Sequence, residues 1–156
     1  MRGDTRIILN PTITPRELYQ FYVKNNICEA GYGEELAARP LQHAAVIVAA
    51  YHEDELIALA RASFDGLSAS IDEFCLATAW QGPDLVYANG SLIQKDDFGV
   101  GKQVGEVLLG ALERMGAHFI STTCLEKVEE EFYAGLGLRH NPHSLEYIID
   151  RRPYVD

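Results

Sequence analysis

Three glycines near the middle of the chain, Gly99, Gly101 and Gly105, have a spacing that suits anion binding. Glycine lets the backbone adopt conformations that strain other residues, so successive N–H groups can turn toward one point. A helix is predicted to follow, because apolar residues recur at helical spacing from Val104 to Met115. The N-terminus of a helix carries unpaired N–H groups and a partial positive charge. The stretch therefore predicts a site for a phosphate or pyrophosphate.

The glycine stretch matches neither of two familiar phosphate-binding fingerprints. Lys102 is followed by Gln103, whereas the nucleoside-triphosphate loop needs Ser or Thr after its Lys. The dinucleotide fingerprint needs three glycines at another spacing and an acidic residue about 20 positions further on. From spacing alone, a tight loop that binds no ligand is an alternative.

A second stretch supplies a family resemblance. It reads Phe132-Tyr133-Ala134-Gly135-Leu136-Gly137-Leu138-Arg139, and the first reads Val100-Gly101-Lys102-Gln103-Val104-Gly105. Together they resemble the two most recognisable motifs of the GNAT family of acetyl-CoA-dependent N-acetyltransferases. There the first motif, Arg/Gln-x-x-Gly-x-Gly/Ala, binds the pyrophosphate of coenzyme A, and the second is roughly Phe-Tyr-x-x-Leu-Gly-Phe. Val100 and Gln103 depart from the first motif.

The resemblance implies one α/β domain over residues 1–156. Its sheet would be mixed and mostly antiparallel, with six or seven strands and helices on both faces. Acetyl-CoA would be the cofactor, entering where two adjacent strands splay apart, and an amine would attack it directly in a ternary complex. The residues expected to contact the cofactor are Leu76, Thr78, Val100, Gly101, Lys102, Gln103, Val104 and Gly105.

Acetyl transfer to an amine needs a base for the ammonium and an acid for the departing thiolate. Tyr133 is the predicted acid, because the family uses a tyrosine at this position. Its alternative is a core aromatic. Glu73 is the predicted base, since several family members place a glutamate on this strand. Asp72 and Arg61 are predicted to bind the substrate. Strand alternation would put Asp72 and Glu73 on opposite faces, and either carboxylate could instead pair with Arg61.

Composition limits the partners. The chain has 13 Lys and Arg against 23 Asp and Glu, a formal charge of −10, which argues against nucleic acid. A small cationic or neutral amine suits this charge better. No apolar run approaches the ~20 residues that cross a bilayer, so we expect a soluble, cytoplasmic protein without membrane contact. A homodimer is compatible with these properties.

Neither cysteine nor histidine predicts a metal site. Cys28, Cys75 and Cys124 are an odd number without metal-type pairing, and we expect no disulfide. His140 and His143 have no cluster of further ligands near them in the sequence, and two ligands alone do not make a site.

The periodicities and turn signals predict a definite order of elements. Helices are expected from Thr14 to about Asn26, over Glu34–Ala38 before Pro40, after the glycine stretch, and over Leu125–Ala134. Pro83–Asp97 is expected to be an inserted loop with a short strand at Leu92–Gln94. The other predicted strands are Arg6–Asn10, Ala44–Tyr51, Leu56–Phe64, Ser70–Thr78, His118–Cys124 and Leu145–Asp150.

Departures from the family pattern support a second functional hypothesis. Glu126 and Glu129 stand where the family often has an Asn and a small residue. Two carboxylates pointing inward there would weaken contact with the cofactor. The chain would then be a non-catalytic acyl-CoA-binding sensor or an interaction module.

Overall fold

The computed structural model describes residues 4–153. In this range five strands form one sheet in the order β1-β2-β3-β4-β5. Neighbours from β1 to β4 are antiparallel, whereas β5 pairs with β4 in parallel. This confirms a mixed, mostly antiparallel sheet, but with five strands in the described part instead of six or seven. The strands are β1 (Thr5–Leu9), β2 (Val46–His52), β3 (Glu55–Phe64), β4 (Ser68–Leu76) and β5 (Phe119–Thr122).

Across the part of the chain that the structure describes, four α-helices accompany the sheet: α1 (Pro15–Lys24), α2 (Glu34–His43), α3 (Val100–Met115) and α4 (Glu130–Gly135). Short 3-10 helices cover Cys28–Tyr32, Thr78–Trp80 and Lys127–Glu129. Within the described residues, no helix has the length and apolar character needed to cross a membrane.

Neighbouring residues of β4 show that helices pack on both faces of the sheet. Glu73 accepts a hydrogen bond from the hydroxyl of Tyr22 in α1. The ring of Phe74 packs edge-on against Phe132 and Tyr133 of α4, with centroid distances of 5.1 and 6.3 Å. Because successive strand side chains point to opposite faces, α1 and α4 lie on opposite sides of β4.

The start of α1 follows the sequence prediction closely. Thr14 is the N-cap, and its Oγ1 accepts the N–H of Glu17 at 3.1 Å, while Pro15 occupies the first helical position. A proline there loses no helical hydrogen bond, because the first N–H groups of a helix have no partner within it. The buried residues Leu18 and Tyr22 then fix this helix on the core.

Replacing Thr14 with Ala should lower the free energy of unfolding by about 1 kcal/mol, because the Glu17 N–H loses its acceptor. Thr14→Ser keeps the hydroxyl and should stay close to wild type. Urea unfolding of the three proteins measures the difference. Equal stability of Thr14→Ala and wild type would contradict the capping role.

Helix α2 is longer than predicted. It continues to His43 with Pro40 inside it, whereas the sequence predicts an end at Ala38. Proline has a helical φ but lacks an N–H and crowds the preceding turn, so it usually ends a helix. Here Ala37 and Ala38 are buried and α2 packs along α1. Tertiary packing therefore outweighs the local cost.

Two predicted strands are absent from the described residues. Residues 82–99 form a loop, as predicted, but Leu92–Gln94 is not a strand. The segment Leu145–Asp150 is also irregular, and Leu145, Tyr147 and Ile149 are 82%, 89% and 79% exposed. A strand needs a neighbouring edge for its backbone groups. The strand β5 is the nearest edge in sequence, and it pairs only with β4 within the described residues.

Candidate functional site

A cavity of about 660 Å³ opens where β4 and β5 stop pairing. The two strands pair from Ser68–Phe119 to Ile71–Thr122, and β4 then continues to Leu76 beside β3, without β5 on its other edge. The walls come from α1 and the 3-10 helix after it, α2, β3, β4, Ser91, the end of β5, the region around α4 and the C-terminal tail. The residues predicted to act on the substrate all line this cavity: Arg61, Asp72, Glu73 and Tyr133.

A β-bulge places Asp72 and Glu73 beside the same arginine. Arg61 pairs with Glu73 and Ala62 pairs with Ile71, which leaves Asp72 as the extra residue on β4. A bulge interrupts the alternation of side chains. Arg61 Nη1 lies 3.8 Å from Asp72 Oδ2, and Arg61 Nε lies 3.0 Å from Glu73 Oε1. The prediction that the two carboxylates lie on opposite faces is wrong, and both pair with Arg61.

Three donors hold the Glu73 carboxylate. Oε1 accepts from Arg61 Nε, and Oε2 accepts from the Tyr22 hydroxyl and, at 3.5 Å, from Cys75 Sγ. Burial raises the pKa of Tyr22, and the charge of Glu73 raises it further. The same two causes raise the pKa of the Cys75 thiol. Both donors therefore keep their protons at neutral pH. Tyr22 is a site residue that the sequence did not indicate, because its helical spacing marks it only as core.

Tyr133 is a buried cavity residue with a firmly held proton. Only 6% of its surface is exposed. Burial raises the pKa of its phenol, the nearby charge of Glu129 raises it further, and a hydrogen bond with the Thr122 side chain opposes the rise. The hydroxyl is therefore neutral at pH 7, where it can donate a hydrogen bond to a group in the cavity.

Of the two carboxylates in the second hypothesis, Glu129 points inward, whereas Glu126 is exposed. Glu129 is 2% exposed and lines the cavity. Oε2 accepts the N–H groups of Leu125 and Glu126 at 3.0 and 3.4 Å. Burial raises the pKa of Glu129, and these backbone bonds oppose the rise. Glu126 itself lines a second cavity beside the first.

The glycine stretch is mainly helix, contrary to the predicted loop. Helix α3 begins directly after Gly99, whose φ is +74°. Gly101 and Gly105 lie inside α3 and are buried. A Cβ on Gly101 would lie 2.9 Å from Phe132 Cε1, and a Cβ on Gly105 would lie 2.6 Å from Leu136 Cδ2. These two glycines therefore allow close packing of α3 against α4 and the turn after it.

Gly105→Asp should lower the free energy of unfolding by about 3 kcal/mol or more, since it buries an unpaired carboxylate against Leu136. Gly110→Asp is the matched control on the same helix, because in the described part of the chain a Cβ there meets only Arg114 Nη1, at 3.4 Å. Urea unfolding should separate the two variants clearly. An equal decrease in the free energy of unfolding in both variants would show that Gly105 has no special packing role.

The N-terminus of α3 is already occupied by a carboxylate of the chain. Asp96 Oδ1 accepts the N–H of Gly101, and Oδ2 accepts the N–H of Lys102, each at 2.8 Å. Burial raises the pKa of Asp96, and the two backbone bonds oppose the rise. Sequence reasoning missed Asp96, although an Asp just before a helix is a common cap.

Within residues 4–153, none of the residues predicted to contact the cofactor lines the cavity. The Leu76 N–H donates to the Gly90 carbonyl, and the Leu76 carbonyl accepts from Gln81 Nε2, both at 2.9 Å. Thr78 lies beyond β4, and its N–H donates to Asn25 Oδ1 at 3.0 Å. At the predicted diphosphate site, Asp96 already accepts the N–H groups of Gly101 and Lys102. This conformation therefore does not fit a coenzyme A diphosphate there.

No protein-family model matches the sequence, and no curated protein matches it either. Solved structures do share the fold. A probable acetyltransferase from methicillin-resistant Staphylococcus aureus aligns with a TM-score of 0.72 at 16% identity, over 94% of this chain and 99% of that one. A GNAT-family acetyltransferase from Streptococcus pneumoniae TIGR4 aligns with a TM-score of 0.68 at 17% identity, over 96% and 100% of the two chains.

An aminoglycoside N-acetyltransferase in complex with CoA is a third structural neighbour. Its TM-score is 0.65 at 12% identity, over 97% of this chain and 98% of that one. The chain therefore has the GNAT fold over nearly its whole length, and the resemblance drawn from the two motifs is confirmed at the level of the fold.

Proposed function

We propose that this GNAT-fold protein is an acyltransferase that acts on the primary amine of a small molecule. One observation carries the proposal: Arg61, Asp72, Glu73 and Tyr133 converge on one cavity at the point where β4 and β5 separate. The aminoglycoside N-acetyltransferase among its structural neighbours acts on amines, which supports the same substrate class here.

The charge of the cavity suits an ammonium group. Among the residues that the structure describes, five carboxylates and three guanidinium groups line it, so the net potential attracts a cation. The Asp72 side chain is 33% exposed, against 10% for Glu73. Asp72 is therefore the more accessible contact for an incoming ammonium.

An ammonium must lose a proton before its nitrogen can attack a carbonyl. Glu73 lies beside Asp72 at the cavity wall and is the proposed base. The donors on Glu73 fix its position, and a water or the amine itself would have to share an oxygen with them. Tyr133 keeps its proton and is proposed to donate a hydrogen bond into the cavity. Acetyl-CoA is the acyl donor that the resemblance implies, and its diphosphate does not fit the α3 N-terminus in this conformation.

Thiol release from acetyl-CoA, followed with a panel of small amines including an aminoglycoside, tests the proposed function. Release that depends on both the protein and the amine supports it. Absence of amine-dependent release across the panel, from a folded protein that binds CoA in calorimetry, would contradict it.

The second candidate function is a non-catalytic acyl-CoA-binding sensor or interaction module. Two observations favour it: the inward position of Glu129 and the occupation of the α3 N-terminus by Asp96. CoA binding without turnover in the same assay would support this candidate over the enzyme.

A further inference from the structure

Residues 82–99, which we name the plug segment, run between the cavity and α3. Ser91 lines the cavity wall. Leu92 and Ile93 are 7% and 0% exposed, so this part of the segment lies within the protein. Asp96 then reaches the first turn of α3. The plug segment thus spans the path that joins the candidate acyl-transfer site to the predicted diphosphate position.

Side chains and backbone groups fix the plug segment on both sides. The Gly90 carbonyl accepts the Leu76 N–H at the end of β4, beyond the part that pairs with β5. Gln81 is fully buried; its Oε1 accepts the Gln94 N–H at 2.9 Å and its carbonyl accepts the Asp97 N–H at 2.9 Å. On the other side, Glu129 receives a backbone hydrogen bond from Ile93. The segment therefore fills the gap between β4 and the residues before α4.

We propose that the plug segment closes the donor side of the acyltransferase site, with the Asp96 carboxylate held in the position of the donor's diphosphate. This inference rests on the proposed function, because the donor is the acyl-CoA that such an activity uses. Coenzyme A then binds only to molecules in which Asp96 has left the N–H groups of Gly101 and Lys102. The apparent affinity is lowered by the fraction of molecules in that open state.

Charge makes Asp96 a competitor of a diphosphate. Both groups are anions that accept from the same two N–H groups, so the two cannot bind there together. The neighbouring Asp97 adds a second negative charge, and Lys102 is a positive side chain that acts on Asp96 from the same turn. Removing the charge of Asp96 weakens the closed state and also removes the repulsion of the ligand.

Calorimetry with CoA on wild type, Asp96→Asn and Asp96→Ala tests the plug. Both variants should bind CoA at least about tenfold more tightly than wild type, a difference of about 1.4 kcal/mol. Asp97→Asn removes the same charge one residue away, at an exposed position. The N–H groups of Gly101 and Lys102 donate to Asp96 and not to Asp97, so this substitution should change affinity by less than about threefold. Asp96→Asn keeps the size of the side chain, and circular dichroism checks that each variant is folded.

Equal CoA affinity in wild type and the folded Asp96 variants would overturn the plug, as would no binding by any of them. Hydrogen exchange on the wild-type protein gives a second measurement. At saturating CoA, peptides covering residues 82–99 should exchange faster, and slower or unchanged exchange would overturn the proposal.

The two proposals can fail separately. If the Asp96 variants bind CoA more tightly but no amine-dependent thiol release occurs, the plug proposal stands and the proposed acyl transfer is contradicted. If wild type releases thiol in the presence of the amine but Asp96 substitution does not change CoA affinity, the proposed acyl transfer stands and the plug proposal is contradicted.

Discussion

Glu73→Gln should lower amine-dependent turnover by roughly 10²-fold or more at neutral pH, because the amide cannot accept the proton of the ammonium. The amide oxygen can still accept from Arg61 or Tyr22, so most of the packing around the side chain should persist. At high pH free amine becomes available without a base, and the loss should become smaller. The measurement is the pH dependence of turnover at saturating amine and donor.

Glu106→Gln is the control for this experiment. Glu106 lies on α3, its side chain is 61% exposed, and Lys102 Nζ lies 4.0 Å from its Oε1. The substitution removes the same charge far from the cavity and should leave turnover near the wild-type level. A wild-type pH–rate profile for Glu73→Gln would show that the proton is taken by another group.

Arg61→Met should lower the free energy of unfolding by about 3 kcal/mol, because it leaves two neighbouring carboxylates without their shared cation. The side chains of Arg61 and Glu73 are 19% and 10% exposed, so water screens this pair only weakly. A second substitution, Glu73→Gln, should recover part of the loss. The coupling between the two substitutions, measured by urea unfolding in a double-mutant cycle, should exceed about 1 kcal/mol.

Lys24 and Glu55 provide a matched exposed ion pair. Their side chains are 64% and 51% exposed, and pairs of this kind contribute about 0–1 kcal/mol. Lys24→Met should therefore cost much less than Arg61→Met. Similar losses for the two substitutions, or additive losses in the cycle, would show that the cluster around Glu73 does not stabilise the fold.

Features set by neighbouring residues were predictable from the sequence. The start of α1 at Thr14, the helical pattern of α3 up to Met115 and the order of β2, β3 and β4 all depend on short-range patterns of turn formers and apolar residues. The four residues predicted to act on the substrate were also found together, since the two motifs and the strand pattern fix which elements carry them.

Features set by contacts between distant residues were not predictable. The bulge at Asp72 depends on how β3 and β4 pair, which alternation along one strand cannot reveal. The glycines of α3 were assigned to a ligand because the sequence does not show that Phe132 and Leu136 pack against them. The segment 145–150 has the composition of a strand, but composition does not supply a partner edge.

The three cysteines differ in exposure, so two of them can be labelled with a fluorescent dye. Cys28 and Cys124 are exposed, whereas Cys75 is buried behind Glu73. Reagents attack the thiolate, and burial and nearby carboxylates raise the pKa of Cys124, so a maleimide dye should attach slowly to Cys124. Cys28 shares a cavity wall with Asn89 and Leu92. A single dye on this natural thiol therefore lies next to the plug segment, and its fluorescence can follow opening in real time without an engineered cysteine.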